Sequence, residues 1–213
     1  MARRKREKII EAALFKNVIS PLSNVGPIDW PAYFGNRHPH TLELGCGAGR
    51  YTIGIAELDP AKNVIGVDIK GARIWRGAKE ALQKKLSNAI FLRTKIEDLG
   101  RYFEPQSVAE IWITFPDPFP RKKQAKHRLT SPIFLPLYKQ LLTSAGTVHL
   151  KTDDSDLFRY SIEAVAAASG KILVKTDDLY STGPLSDILC LKTRYEDRHL
   201  AAGKTIKYLS WKW

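Results

Sequence analysis

Three prolines within five residues, Pro116, Pro118 and Pro120, abruptly end the apolar, β-branched run Ile111-Trp-Ile-Thr114. The run itself has the character of a strand buried in a parallel sheet. Proline lacks an N–H and restricts the residue before it. Neither a strand nor a helix can therefore pass through Phe115-Pro-Asp-Pro-Phe-Pro120. Asp117 is presented on a stiff turn at the carboxyl end of a strand, the edge at which open α/β sheets bind ligands. Arg121, Lys122, Lys123, Lys126, His127 and Arg128 follow at once. An acid on a rigid elbow beside a cationic ribbon points to chemistry on a polyanion.

The rest of the chain from His40 alternates strand and helix. Strands are expected at 40–44, 63–67, 89–93, 108–114, 146–151, 171–176 and 205–211, with helices at 50–58, 72–86, 129–142 and 154–169 between them. One short helix is expected between the last two strands. Such alternation means βαβ units with right-handed crossovers and a mostly parallel sheet. The expected fold is a single Rossmann-like α/β domain, with seven strands and helices on both faces. Residues 1–39 are read apart from it. They comprise a basic arm or frayed helical turn over residues 2–8, a short amphipathic helix carrying Ile9, Ile10, Ala13 and Leu14, and a loop from Pro21 to Pro39. The domain proper is residues 40–213.

Charge narrows the partner. Among 213 residues, 34 Lys+Arg against 22 Asp+Glu leave a formal charge of +12. A nucleic acid is favoured through counterion release and steering. Cys46 and Cys190 stand far apart without metal-ligand spacing, so neither a metal site nor a disulfide framework is expected and a reducing cytoplasm is the default. No apolar run approaches membrane-spanning length.

Thr41-Leu-Glu-Leu-Gly-Cys-Gly-Ala-Gly49 follows a strand and opens a helix. Gly45 and Gly47 let the backbone turn tightly and approach a ligand. Asp68, at the end of the next strand, is placed for ribose hydroxyls. The glycines run GxGxG rather than GxGxxG, and Glu43 sits two residues before the first. A carboxylate there faces a pyrophosphate unfavourably but suits an ammonium and a sulfonium. The expected cofactor is thus S-adenosylmethionine, and a dehydrogenase is disfavoured. Ile96, after the third strand, is a candidate for holding adenine. Asp153 closes the fifth strand. Thr193-Arg-Tyr-Glu196 offers a hydroxyl, a ring and a carboxylate to a purine.

Taken together, Glu43-Leu-Gly-Cys-Gly-Ala-Gly49, Phe115-Pro-Asp-Pro-Phe-Pro-Arg-Lys-Lys123 with His127-Arg128, Leu150-Lys-Thr-Asp153 and Thr193-Arg-Tyr-Glu196 resemble the bacterial tRNA (guanine-N7)-methyltransferases. The match runs from about Thr41 to Trp211. The resemblance implies a class I methyltransferase making m7G in the variable loop of tRNA. It further implies Glu43, Gly45, Gly47, Asp68, Ile96 and Asp117 at the cofactor, with Asp117 nearest the chemistry. Arg121, Asp153, Thr193, Arg194, Tyr195 and Glu196 would be at the guanosine. Independently, the bases lying just outside the acids lead us to expect Arg121 to Arg128 and the arm to hold phosphates. The family usually has Trp where Phe119 stands and Asp where Lys95 stands, which leaves adenine to the backbone around Ile96 or to Glu97. Two alternatives are an exocyclic-amine methyltransferase, since Asp117-Pro-Phe119 faintly resembles the Asp-Pro-Pro-aromatic signature, and an RNA-binding homologue without activity. Monomer and homodimer both remain open. The four carboxylates Glu43, Asp117, Asp153 and Glu196 are expected around one cavity.

Overall fold

In a computed structural model of the chain, which describes residues 2–20 and 27–213, strand and helix alternate from His40 onward. The chain divides into two compact units, Met1–Glu104 and Pro105–Trp213.

The first unit runs α1 (Ala2–Ala13), β1 (Val18–Ile19), α2 (Trp30–Phe34), β2 (His40–Leu44), α3 (Arg50–Leu58), β3 (Asn63–Val67), α4 (Gly71–Gln83) and β4 (Ala89–Leu92). Its strands lie in the order β1-β4-β3-β2 and every pair is parallel. Each residue of β2, β3 and β4 is buried, as continuous apolar strands in a covered parallel sheet require. On α4, Ile74, Ala78 and Ala81 recur at helical spacing and have no exposure, so one stripe of the helix seals against the strands.

Of the two expectations for residues 2–8, arm or helical turn, the helical one holds: they form the first two turns of α1. Lys, Arg, Glu and Ala are good helix formers, and Arg3 pairs with Glu7 one turn on at 3.2 Å. The helix is fastened to α4, with Lys8 Nζ 4.5 Å from the Trp75 ring centre. The extra strand β1 makes eight strands among the described residues where seven are expected. At two residues it is too short for any periodicity, but Phe91 donates to Asn17 O and Arg93 to Ile19 O. β1 and α1 thus pack directly on β4 and α4 of the same unit. The first six residues of the expected 21–39 loop lie outside the described residues, and the remainder contains α2, capped by Asp29.

The second unit runs β5 (Val108–Thr114), α5 (Leu135–Leu141), β6 (Leu142–Thr152), α6 (Ser155–Ala167), β7 (Lys171–Thr176), α7 (Asp187–Cys190), α8 (Arg194–Ala201) and β8 (Lys207–Lys212). Strand order is β5-β6-β8-β7, with β5 and β6 parallel and β8 antiparallel to both its neighbours. Pro136 must occupy the first turn of its helix, so α5 starts at Leu135 and not near Leu129. Three short helical pieces, not one, separate β7 from β8: a 3-10 turn Leu179–Ser181, α7 and α8. Edge strand β7 is largely exposed and bears Lys171 and Lys175, which discourage edge-to-edge pairing.

Candidate active site

In the first unit the glycine turn hangs from β3. Gly45 N and Cys46 N both donate to Val67 O, at 2.8 and 3.0 Å. Gly45 and Gly47 have φ of +73° and +57°, and a Cβ on Gly45 would meet no atom within 4 Å. The turn therefore offers bare backbone to an approaching ligand. Gly49 is required for another reason: a Cβ there would stand 2.3 Å from the Phe91 ring.

Two carboxylates tie this turn down. Asp68 Oδ2 accepts from Gly47 N at 2.9 Å and its Oδ1 from Lys70 N at 2.7 Å. Glu43, 2% exposed, accepts through Oε2 from Thr52 N at 2.8 Å and from the Thr52 hydroxyl. The N-cap of α3 is Gly49, which has no side chain to satisfy the free amides of the first turn. Glu43 supplies that acceptor from the neighbouring strand, and its charge is favoured by the helix dipole. Both carboxylates act on Cys46, whose thiol is pushed well up by burial, then by Glu43 and Asp68. The two carboxylates, not the burial, give the turn its sign: they disfavour an anion there and favour a cation. Bare glycine backbone and an anionic field fit S-adenosylmethionine, which presents an ammonium and a sulfonium, and do not fit a pyrophosphate. Half-buried Ile96 opens a 3-10 helix that runs to Arg101 and is preceded by exposed Lys95.

In the second unit β5 ends at Thr114 and the backbone turns sharply. Phe115 and Phe119 adopt left-handed φ of 50° and 44°, conformations that cost a non-glycine residue about 1–3 kcal/mol and cluster at working sites. Asp117 stands exposed between them. Phe115 is fixed by donating its N–H to Lys151 O at 2.8 Å and by its ring, stacked 5.9 Å from that of His199. His199 Nδ1 in turn lies 3.3 Å from Asp153 Oδ2, which also takes Lys204 Nζ at 2.6 Å. Asp154, not Asp153, caps α6, accepting from Leu157 N at 2.7 Å. Thr193 and Glu196 form a capping box at the start of α8, leaving Arg194 and Tyr195 outward, Tyr195 at 53% exposure. Arg121 is exposed ahead of the 3-10 helix Lys122–His127.

A family model described as "Putative methyltransferase" matches residues 37–209. A curated tRNA (guanine-N(7)-)-methyltransferase of Bacteroides thetaiotaomicron is 42% identical, covering 100% of this chain and 86% of its own. That of Porphyromonas gingivalis is 50% identical over 84% of this chain and 72% of its own. The chain belongs to the tRNA (guanine-N7)-methyltransferase family. Among solved structures, the 16S rRNA methyltransferase KamB superposes with a TM-score of 0.63 at 16% identity, over 87% of this chain and 93% of its own. The 16S rRNA (adenine(1408)-N(1))-methyltransferase of Catenulisporales acidiphilia gives 0.62 at 14%, over 90% and 95%. At that identity the likeness concerns the fold, which is that of class I methyltransferases.

Two side chains expected to face the substrate are turned inward in this structure. Glu196 is the first. It is 0% exposed, with Oε1 held by Lys151 Nζ at 2.6 Å and Tyr180 Oη at 2.7 Å, and Oε2 accepting from Thr193 N at 3.2 Å. Arg128 is not part of the outward cationic ribbon either, being 8% exposed and turned inward. The sequence reading passed over Lys151, His199 and Lys204. Lys151, on the otherwise formally uncharged strand segment Thr147-Val-His-Leu-Lys-Thr152, was the available signal for the first.

Proposed function

We propose that this chain transfers a methyl group from S-adenosylmethionine to N7 of a guanosine in the variable loop of tRNA, in the cytoplasm, with residues 40–213 as its catalytic part. The observation that carries the donor is the anionic glycine turn, where Glu43 and Asp68 flank a backbone free of side chains. In this reading Glu43, Gly45, Gly47, Asp68 and Ile96 hold the donor, which when bound supplies an electrophilic methyl on sulfur. Guanine N7 has an in-plane lone pair and no proton, so no general base is needed. The protein's work is alignment and electrostatics.

Asp117 is the acid nearest the chemistry. Methylation leaves positive charge on the imidazole ring of guanine, and a carboxylate held rigid by a strained turn stabilises that charge without reorganising. Asp153 takes the base edge, Tyr195 its face, and Thr193 and Arg194 the flanking groups, with Glu196 supporting them from beneath. Arg121, Lys122, Lys123 and Lys126 meet phosphates. Incubation with methyl-labelled S-adenosylmethionine and unmodified tRNA, followed by nucleoside mass spectrometry and mapping, tests the reading. Label in 7-methylguanosine of the variable loop is expected. Label on an exocyclic amine, or binding of both ligands without transfer, would sink it.

A further inference from the structure

We propose that Arg128 is a positioning residue for Asp117, closing the loop that bears the acid rather than meeting a phosphate. The role rests on the function proposed above. Arg128 Nε donates to Pro118 O at 3.0 Å and Nη2 to Phe119 O at 3.1 Å, the two carbonyls immediately after Asp117. Its guanidinium carbon lies 4.4 Å from the ring centre of Tyr160 on α6. Its own N–H donates to Ala125 O at 3.1 Å, ending the 3-10 helix. The segment from Pro118 to Arg128 is thus a closed loop, buckled by one side chain and seated on a helix.

The chemistry of arginine explains why this residue type is used. A buried cation needs partners, and two carbonyls with an aromatic face serve among the described residues. Adjacent carbonyls on a turn suit a planar fork whose donors point in fixed directions, and a lysine ammonium cannot reproduce that geometry. Charge-assisted bonds of this kind are about twice as strong as neutral ones. They act where Phe119 is held in its left-handed conformation. With Arg128 turned inward, Arg121, Lys122, Lys123 and Lys126 remain as the outward cations of the loop. One residue therefore fixes both the acid and the ribbon, and a loosened loop forfeits reactive alignment before it forfeits charge.

The test separates the two roles of an arginine. Steady-state tRNA methylation is measured at several KCl concentrations for wild type, Arg128→Lys, Arg128→Met, Tyr160→Leu and Arg121→Met, with rates normalised to the folded fraction. For both Arg128 variants kcat is expected to fall at least about tenfold. The KM for tRNA should stay within about threefold of wild type, with an unchanged slope of log KM against log salt. Trypsin should cut between residues 121 and 126 at least about tenfold faster. Tyr160→Leu keeps the cation and should show a smaller loss of the same kind, so the role remains testable if Arg128→Met fails to fold. Arg121→Met should instead raise KM and lessen the salt slope by about one, the signature of a lost phosphate contact. Arg128→Met showing that signature with kcat retained overturns the proposal. A wild type inactive on tRNA overturns the acceptor reading and this role with it. An active wild type with unimpaired Arg128 variants overturns the role alone.

Discussion

The Lys151 ammonium lies 2.6 Å from the Glu196 carboxylate, and neither side chain has any exposure to solvent. Lys151 also donates to Leu189 O and Leu191 O, at 3.1 and 3.0 Å. One cation on β6 therefore pins the chain from the end of α7 to the first turn of α8. Burial pulls the lysine down from its ordinary range while Glu196 holds it up, so the pair survives on geometry and full hydrogen bonding.

Removing one partner should be far worse than removing both. Lys151→Met strands a buried carboxylate and is expected to cost about 3–5 kcal/mol. At about 2–4 °C per kcal/mol for a chain of this size, the midpoint falls on the order of 10 °C. The double variant Lys151→Met/Glu196→Leu should recover a large part of that loss, as thermal and urea denaturation of all four proteins would reveal. Simple additivity would mean that the two residues are not coupled.

That pair also marks where the sequence stopped being readable. The strand–helix alternation, the glycine turn and the proline elbow are local signals, and they place the strands from His40 and both turns, though not the start of α5 or the helical pieces between β7 and β8. What Glu196 and Arg128 do is decided by burial, which depends on chain returning from far away. A Thr-Arg-Tyr-Glu segment reads as an exposed purine grip until Lys151 and Tyr180 are seen enclosing its acid. Arg128 reads as the last member of a charge run until the carbonyls of Pro118 and Phe119 claim it. The short strand Val18–Ile19 escapes because two residues have no period.

Tyr180 gives the fold a defined alkaline limit. Burial first, and then its bond to Glu196, raises its hydroxyl well above the ordinary tyrosine value. Burial likewise raises Tyr208 on β8. In the unfolded chain these groups ionise near pH 10, while in the folded protein they stay protonated. The folded state then binds more protons, so stability is full below about pH 10 and falls as pH rises above it. Lys151, with a lowered value, acts oppositely only below about 10.4. Urea unfolding at pH 9, 10 and 11 should show the decline. Tyr180→Phe should make it shallower, although the variant starts from lower stability. An unchanged slope would refute the assignment.

The donor site proposed at the glycine turn predicts a graded affinity series. Glu43→Gln keeps an acceptor for Thr52 but removes the charge. A unit charge a few ångströms from a sulfonium or ammonium is worth a few kcal/mol at the effective dielectric near a protein surface. S-adenosylmethionine is expected to lose about tenfold or more in affinity by calorimetry, roughly 1.4 kcal/mol. S-adenosylhomocysteine, which lacks the sulfonium, should lose less, and adenosine should lose almost nothing. Equal losses for the three ligands would show that Glu43 serves only as the cap of α3.

Asp117 should separate turnover from binding. It is exposed on a turn whose flanking residues are strained, and no hydrogen bond to its carboxylate is present among the described residues. Its charge is thus not consumed by the fold, unlike that of Glu196, which is paired with Lys151. Asp117→Asn preserves the shape of the turn and removes the charge that would face the developing guanine cation. Loss of one such electrostatic group typically costs about 10²–10³ in kcat. Filter binding of tRNA should change by less than about threefold, because the phosphate contacts proposed above lie on Arg121, Lys122, Lys123 and Lys126. Single-turnover rates with saturating ligands isolate the chemical step from release. A fall in kcat matched by an equal fall in tRNA affinity would assign Asp117 to holding the nucleic acid and leave the chemistry without its acid.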